Sequence, residues 1–346
     1  MAPLRSLSNP ISSFNDPFAK TSTRAGEPWF PYTGIIGNRA IVAGGMYNTS
    51  IAPSPYRADV IEFFDITTTG NASDFGDLPN ATMRMGGCQA AHRGVFMGAS
   101  GPLTPDNTIT YVTVAIPGDA QDFGDLNEGR SSGGAASNST RGVLGGGSAP
   151  SPIGESTAMD YITIATTGNG TDFGNLTSPR YGVAACASTL GRGVWAGGYE
   201  DPGPGGKNIM DYATIATTGN ASDFGDLAEG VQRMAGCSPG IYGYFMGGDN
   251  TPAVNPFNNT QIQKITIATT GNASTPGNLT FRRSSSTGMA NSSRGICAAG
   301  DAVSWPYNND GYLNQIEYFD GVNGGNSADF GDLTIRAKDR AGLSGE

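Results

Sequence analysis

The stretch Tyr161-Ile162-Thr163-Ile164-Ala165-Thr166-Thr167-Gly168-Asn169, followed closely by Asp172-Phe173-Gly174-Asn175-Leu176, decides the fold of this chain because it is repeated. It combines a strand-like alternation of residues, a Gly-Asn turn and a second short strand. A period near 50 residues with four short strands in each unit is typical of a β-propeller. The Asp-Phe-Gly element begins at Asp74, Asp122, Asp172, Asp223 and Asp329, with a degenerate copy at Thr275-Pro276-Gly277, at intervals of 48 to 54 residues.

Each repeat divides into four predicted strands. The first opens with an arginine and is rich in small residues, as in Arg180 to Ser188, and only small residues leave room for six strands near a propeller axis. The second runs from Arg-Gly-Val to Gly-Gly, as in Arg192 to Gly198. The third alternates apolar residues with Thr or Ala, and the fourth opens with Asp-Phe-Gly. The sequence therefore predicts an all-β fold, a six-bladed β-propeller of four-stranded antiparallel blades. The arginines assigned to the first strand are Arg84, Arg130, Arg180, Arg233 and Arg282.

The two ends of the chain carry complementary halves of one blade. A second-strand sequence begins at Arg39 with no arginine-led strand before it, and Arg336 to Leu343 is an arginine-led strand with no second strand after it. Pairing them would close the ring and leave no open sheet edge between its ends. Trp29 to Ile36 competes for the same innermost position, and the small residues favour the C-terminal segment. We therefore predict an extended N-terminal arm over residues 1–34 and a propeller over residues 35–346.

The aromatic residue of each Asp-Phe-Gly element is predicted to be a core anchor that packs between neighbouring blades. The aspartate beside it is predicted to stabilise a turn, because its spacing does not match a calcium-binding loop. The Asn or Asp of the Thr-Gly-Asn turn is predicted to cap local backbone amides. The predicted anchors are Phe75, Phe123, Phe173, Phe224 and Phe330.

Composition narrows the range of functions. The formal net charge is −10 and lysine occurs only at Lys20, Lys207, Lys264 and Lys338, which argues against binding to nucleic acid. No run of 18 apolar residues predicts membrane insertion, and the N-terminus lacks the apolar run of a signal peptide.

The sequence also lacks a recognisable catalytic motif. The four cysteines are widely spaced, and the single histidine, His92, falls at a predicted turn. A Ser-His-Asp triad and a zinc or copper centre are therefore not expected, and we predict no metal, no cofactor and no enzymatic activity. A pair of carboxylates for glycoside cleavage stays open as an alternative, because the distances between acidic residues cannot be derived from the sequence.

The connection that follows Gly-Gly differs from blade to blade. Variable loops on a rigid ring are common binding sites, and all six are expected on one face of the disc. The loops are Met46 to Arg57, Ala99 to Thr108, Ser148 to Thr157, Tyr199 to Asn208, Asp249 to Thr260 and Asp301 to Asn314. Their aromatic side chains could stack on sugars or on a protein, or could pack within the loops. The candidate binding residues are Tyr47, Tyr56, Tyr199, Phe257, Trp305, Tyr307 and Tyr312.

The order of these strands resembles the kelch repeat, which closes its ring with strands from opposite chain ends. The resemblance covers residues 39 to 343, although Phe replaces the usual Trp of the fourth strand. The third-strand Tyr is kept only in part, as at Tyr161, Tyr212 and Tyr318. More narrowly, the phrase Asp-Tyr-Ile-Thr-Ile-Ala-Thr-Thr-Gly-Asn, followed by Asp-Phe-Gly and Arg-Gly-Val, is similar to repeats in virion structural proteins of tailed phages, particularly those of aquatic bacteria.

The phage resemblance implies a component of a virus particle. The expected function is therefore a non-enzymatic structural or host-contacting virion protein, in a tail, a fibre or a surface decoration, which assembles through its N-terminal arm. The expected partners are other virion proteins and copies of itself, with a host-surface glycan or receptor as a further candidate. The alternatives are a carbohydrate-binding, lectin-like propeller and a tail-associated glycan-degrading enzyme, and the alternative location is extracellular.

Overall fold

The computed structural model describes residues 37–49, 52–90, 92–101, 105–188, 191–203, 205–250, 259–302 and 311–344. Regular structure in these residues consists of strands alone. The first half contains β1 (Arg39–Ala43), β2 (Met46–Thr49), β3 (Ala52–Arg57), β4 (Val60–Asp65), β5 (Ser73–Asp77), β6 (Gly86–Ala90), β7 (Arg93–Ser100), β8 (Pro105–Thr113), β9 (Gln121–Asp125), β10 (Gly134–Ser137), β11 (Arg141–Gly145), β12 (Ser148–Ala149), β13 (Gly154–Glu155) and β14 (Ala158–Thr163). The second half contains β15 (Thr171–Asn175), β16 (Ala184–Ala187), β17 (Arg192–Ala196), β18 (Ile209–Thr214), β19 (Ser222–Asp226), β20 (Ala235–Cys237), β21 (Tyr242–Met246), β22 (Gln261–Thr266), β23 (Ser274–Asn278), β24 (Thr287–Ala290), β25 (Arg294–Ala298), β26 (Gln315–Asp320), β27 (Ala328–Asp332) and β28 (Ala341–Leu343).

Six four-stranded antiparallel sheets form the blades of a ring, which confirms the predicted six-bladed propeller. From the inside outward they are β28-β1-β4-β5 (blade 1), β6-β7-β8-β9 (blade 2), β10-β11-β14-β15 (blade 3), β16-β17-β18-β19 (blade 4), β20-β21-β22-β23 (blade 5) and β24-β25-β26-β27 (blade 6). We name the four positions inner, second, third and outer strand. The connection from second to third strand defines the loop face of the disc. The connections from inner to second and from third to outer strand define the opposite turn face.

Strands from opposite ends of the sequence close the ring in blade 1. Inner strand β28 pairs with second strand β1, with Ile41 opposite Leu343 and Ala43 opposite Ala341. The predicted C-terminal closure is therefore confirmed. The competing segment, Trp29 to Ile36, lies outside the described residues, as does the predicted arm over residues 1–34, so that domain boundary stays a prediction.

The phenylalanine of the outer strand lies in the core between blades. Phe173 is 2% exposed, and its ring meets that of Tyr161 on the neighbouring third strand edge-on, with 6.2 Å between ring centroids. Edge-to-face packing of this kind places the positive ring edge against the negative face. Equivalent pairs hold Phe75, Phe123, Phe224 and Phe330.

A cation on the turn face links each blade to the next. The Arg141 guanidinium lies 4.3 Å from the ring centroid of Tyr161 and donates a hydrogen bond to the carbonyl of Ala216 in blade 4. This arrangement combines a cation–π contact with a charge-assisted hydrogen bond. Arg39, Arg93, Arg192 and Arg294 make the same pair of contacts.

Blade 5 makes this link with the two residue types exchanged. Tyr242 stands where the other blades have the arginine, and Lys264 stands where four of them have the tyrosine. The Lys264 ammonium lies 3.7 Å from the ring centroid of Tyr242 and donates to the carbonyl of Val322 in blade 6. Blade 5 therefore keeps the link to the next blade, although the residue type differs at both positions.

The turn Asn or Asp acts between blades, and not locally as the sequence suggested. The Oδ1 atom of Asn220 accepts a hydrogen bond from the amide of Asn175, on the outer strand of the preceding blade, at 3.0 Å. All six blade junctions repeat this contact. The other acceptors are Asn71, Asp119, Asn169, Asn272 and Asn326.

The aspartate of Asp-Phe-Gly was predicted to stabilise a turn, but it is an exposed residue within the outer strand. Outer strands are open sheet edges, and charged side chains on such edges oppose pairing with other chains. Blade 5 lacks this aspartate and has Pro276 on its outer strand, a residue that blocks edge pairing in another way. The acidic residues on the rim are therefore placed to oppose edge-to-edge pairing with other chains.

The glycine of Asp-Phe-Gly permits close contact between neighbouring blades. A Cβ atom on Gly225 would lie 2.6 Å from the carbonyl oxygen of Gly271 in the next blade, and Gly225 has a φ of +133°. Gly271 has a φ of +155° but open space around its Cβ position. The two positions therefore separate the effect of steric overlap from that of backbone strain.

We expect Gly225→Ala to lower the free energy of unfolding by about 2–5 kcal/mol, because strain and overlap add. Gly271→Ala should cost only about 1–2 kcal/mol, since it adds strain alone. Denaturant titration of both variants measures the difference. Equal losses would show that the blades can separate enough to admit a methyl group.

Four of the six blades each contain a buried arginine–carboxylate pair. Arg180, four residues before inner strand β16, donates to Asp211 on third strand β18 at 2.6 Å, and both side chains are fully buried. Burial lowers the pKa of Arg180, and the charge of Asp211 opposes that change. The other pairs are Arg130–Asp160, Arg283–Glu317 and Arg340–Glu62.

Blades 2 and 5 replace both partners of this pair with neutral residues. Blade 5 has Val231 and Gln263 at the positions of Arg180 and Asp211, and blade 2 has Thr82 and Thr110. Neither blade buries a lone charge there, which would be costly. The sequence-based assignment also treated Arg84, Arg233 and Arg282 as equivalents of Arg180. Arg84 and Arg233 lie two residues further along the repeat, at the loop-face end of the axis. Arg282 is exposed, and the next residue, Arg283, is the buried equivalent.

Four cysteines are buried in the described core as free thiols, at Cys88, Cys186, Cys237 and Cys297. Burial raises the pKa of Cys88 and of Cys186 to about 12 and that of Cys297 to about 11. They therefore occupy the core as small, buried side chains.

We expect a thiol reagent at about pH 8 to label the folded protein at least about a hundredfold more slowly than the denatured chain, because the thiolate fraction and access both fall. Time-resolved mass spectrometry in buffer and in denaturant measures the ratio. Rapid labelling of a single cysteine in the folded protein would contradict the burial described for that position.

Candidate functional site

The loop face carries short structures that differ among the blades. Blade 1 adds the hairpin β2–β3 and blade 3 adds the short hairpin β12–β13, whereas blade 2 lengthens strands β7 and β8. At the base of each loop, one residue forms a bridge with the residue three positions before the inner strand, such as Tyr199 with Tyr181. The loops therefore rise from a common base around the axis.

Four of the seven candidate aromatics lie in the described residues. Tyr47 and Tyr56 face each other across the β2–β3 hairpin with 5.9 Å between ring centroids, and Tyr56 is 41% exposed. In blade 6, the Tyr312 ring lies beside the Lys338 ammonium, 4.9 Å from the ring centroid. Phe257, Trp305 and Tyr307 lie outside the described residues.

Tyr199 stands apart from the other three. It pairs with Tyr181, at 5.5 Å between ring centroids, in blade 4, which is opposite blade 1 in the ring. Tyr181 was not among the predicted residues, because it precedes an inner strand and does not lie in a variable loop. The described aromatics therefore form two platforms on the loop face, one at blades 1 and 6 and one at blade 4.

A closed ring of backbone hydrogen bonds surrounds the axis below these loops. Each of the six residues two positions before an inner strand donates its amide hydrogen to the carbonyl of its counterpart in the preceding blade, at 2.8–2.9 Å. All six have φ between 51° and 67°, a conformation that is costly for residues other than glycine. The ring closes the axis at the loop face. Its members are Arg84, Ser132, Gly182, Arg233, Ser285 and Asp339.

Three ion pairs lie around the loop-face end of the axis, which we name the mouth. Arg84 contacts Asp339 at 3.2 Å, Arg233 contacts Asp249 at 3.3 Å, and Lys338 contacts Asp301 at 2.7 Å. Each carboxylate there has a cationic partner, so the cluster holds balanced charge.

Two pKa shifts accompany this cluster. Burial raises the pKa of Asp249, while a hydrogen bond from Ser284 and the charge of Arg233 lower it in part. Burial would lower the pKa of Lys338, but the hydrogen bond and charge of Asp301 outweigh burial and raise it. Lys338 therefore stabilises the fold fully below its ordinary pKa of 10.5, and this contribution is lost as the pH rises through the higher folded-state value.

The axis also contains a cavity of about 280 Å³ between the inner strands. Small and neutral residues dominate its wall, and the one charged side chain among those that line it, Arg340, is paired with Glu62. Serine hydroxyls join inner strands of adjacent blades, as where the Ser344 Oγ accepts from the amide of Ala290 at 2.7 Å. The cavity wall therefore consists largely of small, neutral residues and offers few charged groups to a ligand.

His92 is exposed at an inner-to-second strand connection on the turn face, opposite the aromatic loops. Within the described ranges, no group of three or more His, Cys, Asp or Glu side chains is placed to hold a metal ion. Nor do these ranges contain a helix long and apolar enough to cross a membrane.

No protein-family model matches this chain, and no curated protein matches it. The assignment of the propeller fold therefore rests on the geometry of the ring.

Proposed function

We propose that this chain is a non-enzymatic structural or host-contacting component of a tailed-phage virion. The kelch-like order of the strands and the phage-like repeat phrase support the proposal as resemblances of sequence. The supporting structural observation is that the two faces of the disc carry different parts of the chain. Asn38 and Ser344, near the two ends of the described chain, both lie on the turn face, and the variable loops lie on the loop face.

This arrangement suits a particle component that attaches by one face and presents the other. The N-terminal arm continues from the turn face toward neighbouring virion proteins or further copies of the chain. The loops are then free to contact the host. Six interblade links through backbone carbonyls keep this platform rigid, whatever the loops contain.

Cryo-electron microscopy of purified particles that contain the chain tests this proposal. We expect discs in symmetric copies, with the turn face toward the particle and the loop face outward. A chain that remains free and monomeric in lysates and absent from purified particles would contradict the proposal.

A carbohydrate-binding propeller is the second candidate, favoured by the two aromatic platforms of the loop face. Exposed tyrosines can stack on sugar rings through their apolar faces. A glycan array should then lose its signal for Tyr56→Ala or Tyr199→Ala, and keep it for Val322→Ala on the turn face. No signal with the unaltered protein would reject this candidate. A glycan-degrading activity has less support, since the three described carboxylates at the mouth are all held in ion pairs.

A further inference from the structure

Two of the five large exposed apolar side chains in the described residues lie together on the turn face. Ile241, just before second strand β21, is 53% exposed, and Val322, just after third strand β26, is 49% exposed. Scattered apolar residues are normal on protein surfaces, whereas a contiguous apolar patch can mark a contact. We name Ile241 and Val322 the blade 5–6 patch, beside which Pro239 is buried.

Contacts across the blade boundary make this one surface. Pro239 of blade 5 packs so closely on Gly321 of blade 6 that a Cβ on Gly321 would lie 2.6 Å from the Pro239 Cβ. Lys264, which lies over Tyr242, donates to the carbonyl of Val322 at 2.6 Å. Ile241 directly precedes Tyr242, so its side chain and that of Val322 flank the same link.

The repeat does not require apolar residues at these positions. The equivalents of Ile241 are Asn38, His92, Thr140, Gly191 and Ser293, and those of Val322 are Thr67, Ala115, Ala165, Ala216 and Ala268. The other blades therefore form the same interblade link with small or polar residues. The larger apolar side chains at the blade 5–6 patch call for a separate explanation.

The described chain begins in blade 1, one blade away from this patch. The Asn38 Oδ1 accepts from the side-chain amide of Asn291 in blade 6 at 3.0 Å, and its carbonyl accepts from the amide of Ile66 at 2.7 Å. Two residues after Asn291, the carbonyl of Ser293 accepts from the amide of Gly321, next to Val322, at 2.8 Å. A single inner-to-second strand connection thus joins the start of the described chain to the patch.

The sequence immediately before this start is strongly apolar, Trp29-Phe30-Pro31-Tyr32-Thr33-Gly34-Ile35-Ile36. An extended chain spans about 3.5 Å per residue, so these eight residues can cover about 28 Å, enough to pass one blade. β28 already occupies the inner position of blade 1 that this segment could otherwise take. Its apolar side chains therefore need another surface.

We propose that residues 29–36 dock on the blade 5–6 patch of their own chain. Docking covers Ile241 and Val322 and fixes the direction in which the preceding residues leave the disc, across the turn face toward blade 5. The inference does not depend on the proposed virion function, because it concerns contacts within one chain.

Site-specific photo-crosslinking of the full chain tests this docking. A benzoylphenylalanine at position 241 should crosslink to residues 29–36, whereas the same probe at the equivalent position 140 in blade 3 should not. A mixture of unlabelled and ¹⁵N-labelled chains distinguishes crosslinks within one chain from those between copies. Crosslinks between copies, equal crosslinking at both positions, or none to residues 29–36 would overturn the proposal.

Proteolysis gives an independent readout. The variant Ile241→Asp/Val322→Asp should be cleaved by chymotrypsin after Trp29 or Tyr32 at least about tenfold faster than the control Thr140→Asp/Ala216→Asp, because cleavage follows the population of the undocked state. Both variants should show similar unfolding midpoints. Equal cleavage rates in two folded variants would overturn the docking, and particle composition would remain a separate test of the virion function.

Discussion

Deleting residues 337–346 is expected to abolish cooperative folding of the ring. The deletion removes β28, and with it the pairing to β1 and the buried side chains of Ala341 and Leu343. It also removes Arg340 and leaves the fully buried Glu62 without its cation. An uncompensated buried charge costs about 3–5 kcal/mol by itself. Since domains are stable by only about 5–15 kcal/mol, the combined loss approaches the whole.

Circular dichroism during denaturant titration measures this loss, and size-exclusion chromatography reports on association through the exposed edge of β1. Deleting only residues 345–346 is the matched control, because it leaves β28 intact. Adding a peptide of residues 337–344 should restore part of the transition if the missing strand is the cause. A truncated chain that unfolds at the midpoint of the full chain would refute closure by β28.

Arg180→Val is the second change with a large expected effect. It leaves Asp211 buried, with hydrogen bonds from Thr177 but without its cation. Two carbonyls that accept from the guanidinium, those of Gly197 and Ile209, also lose a donor. We expect the free energy of unfolding to fall by about 3–5 kcal/mol, the usual cost of removing one partner of a buried ion pair.

Blade 5 supplies the control for this experiment. The double variant Arg180→Val/Asp211→Gln reproduces Val231 and Gln263, where the Gln263 Oε1 accepts from the amide of Ala228 at 2.7 Å. It should recover more than half of the loss, because no charge remains buried. Denaturant titration of the two single variants and the double variant gives the coupling energy. A double variant no more stable than Arg180→Val would show that the charge of Asp211 is not the source of the loss.

The period and the residue types were enough to predict the fold. Asp-Phe-Gly and Gly-Gly recur often enough to count the blades, and the unmatched segments at Arg39 and Arg336 to Leu343 indicated how the ring closes. The contacts between blades were not predictable, because they join residues in adjacent repeats at a register that only the ring sets. Asn220 is an example, since its partner, the amide of Asn175, belongs to the preceding blade.

The buried ion pairs illustrate a second limit. Spacing alone could not separate Arg180, which is buried, from Arg233, which lies two positions further along its repeat and points to the mouth. The signal was present in the third strands, because blades with a buried arginine carry Asp or Glu at one position and the others carry Thr or Gln. The loop aromatics could be listed from the sequence, but their division between two platforms depends on blade order in space.

The exchange of Lys264 and Tyr242 in blade 5 changes what counts as a copy of this repeat. Residue by residue, blade 5 departs from the pattern at both positions, yet its cation still lies on an aromatic ring and still reaches a carbonyl of the next blade. What the six blades share here is thus a contact and not a pair of residue types. Comparisons that score each column separately will underestimate kinship among such propellers, and comparisons that score paired positions across strands should recover it.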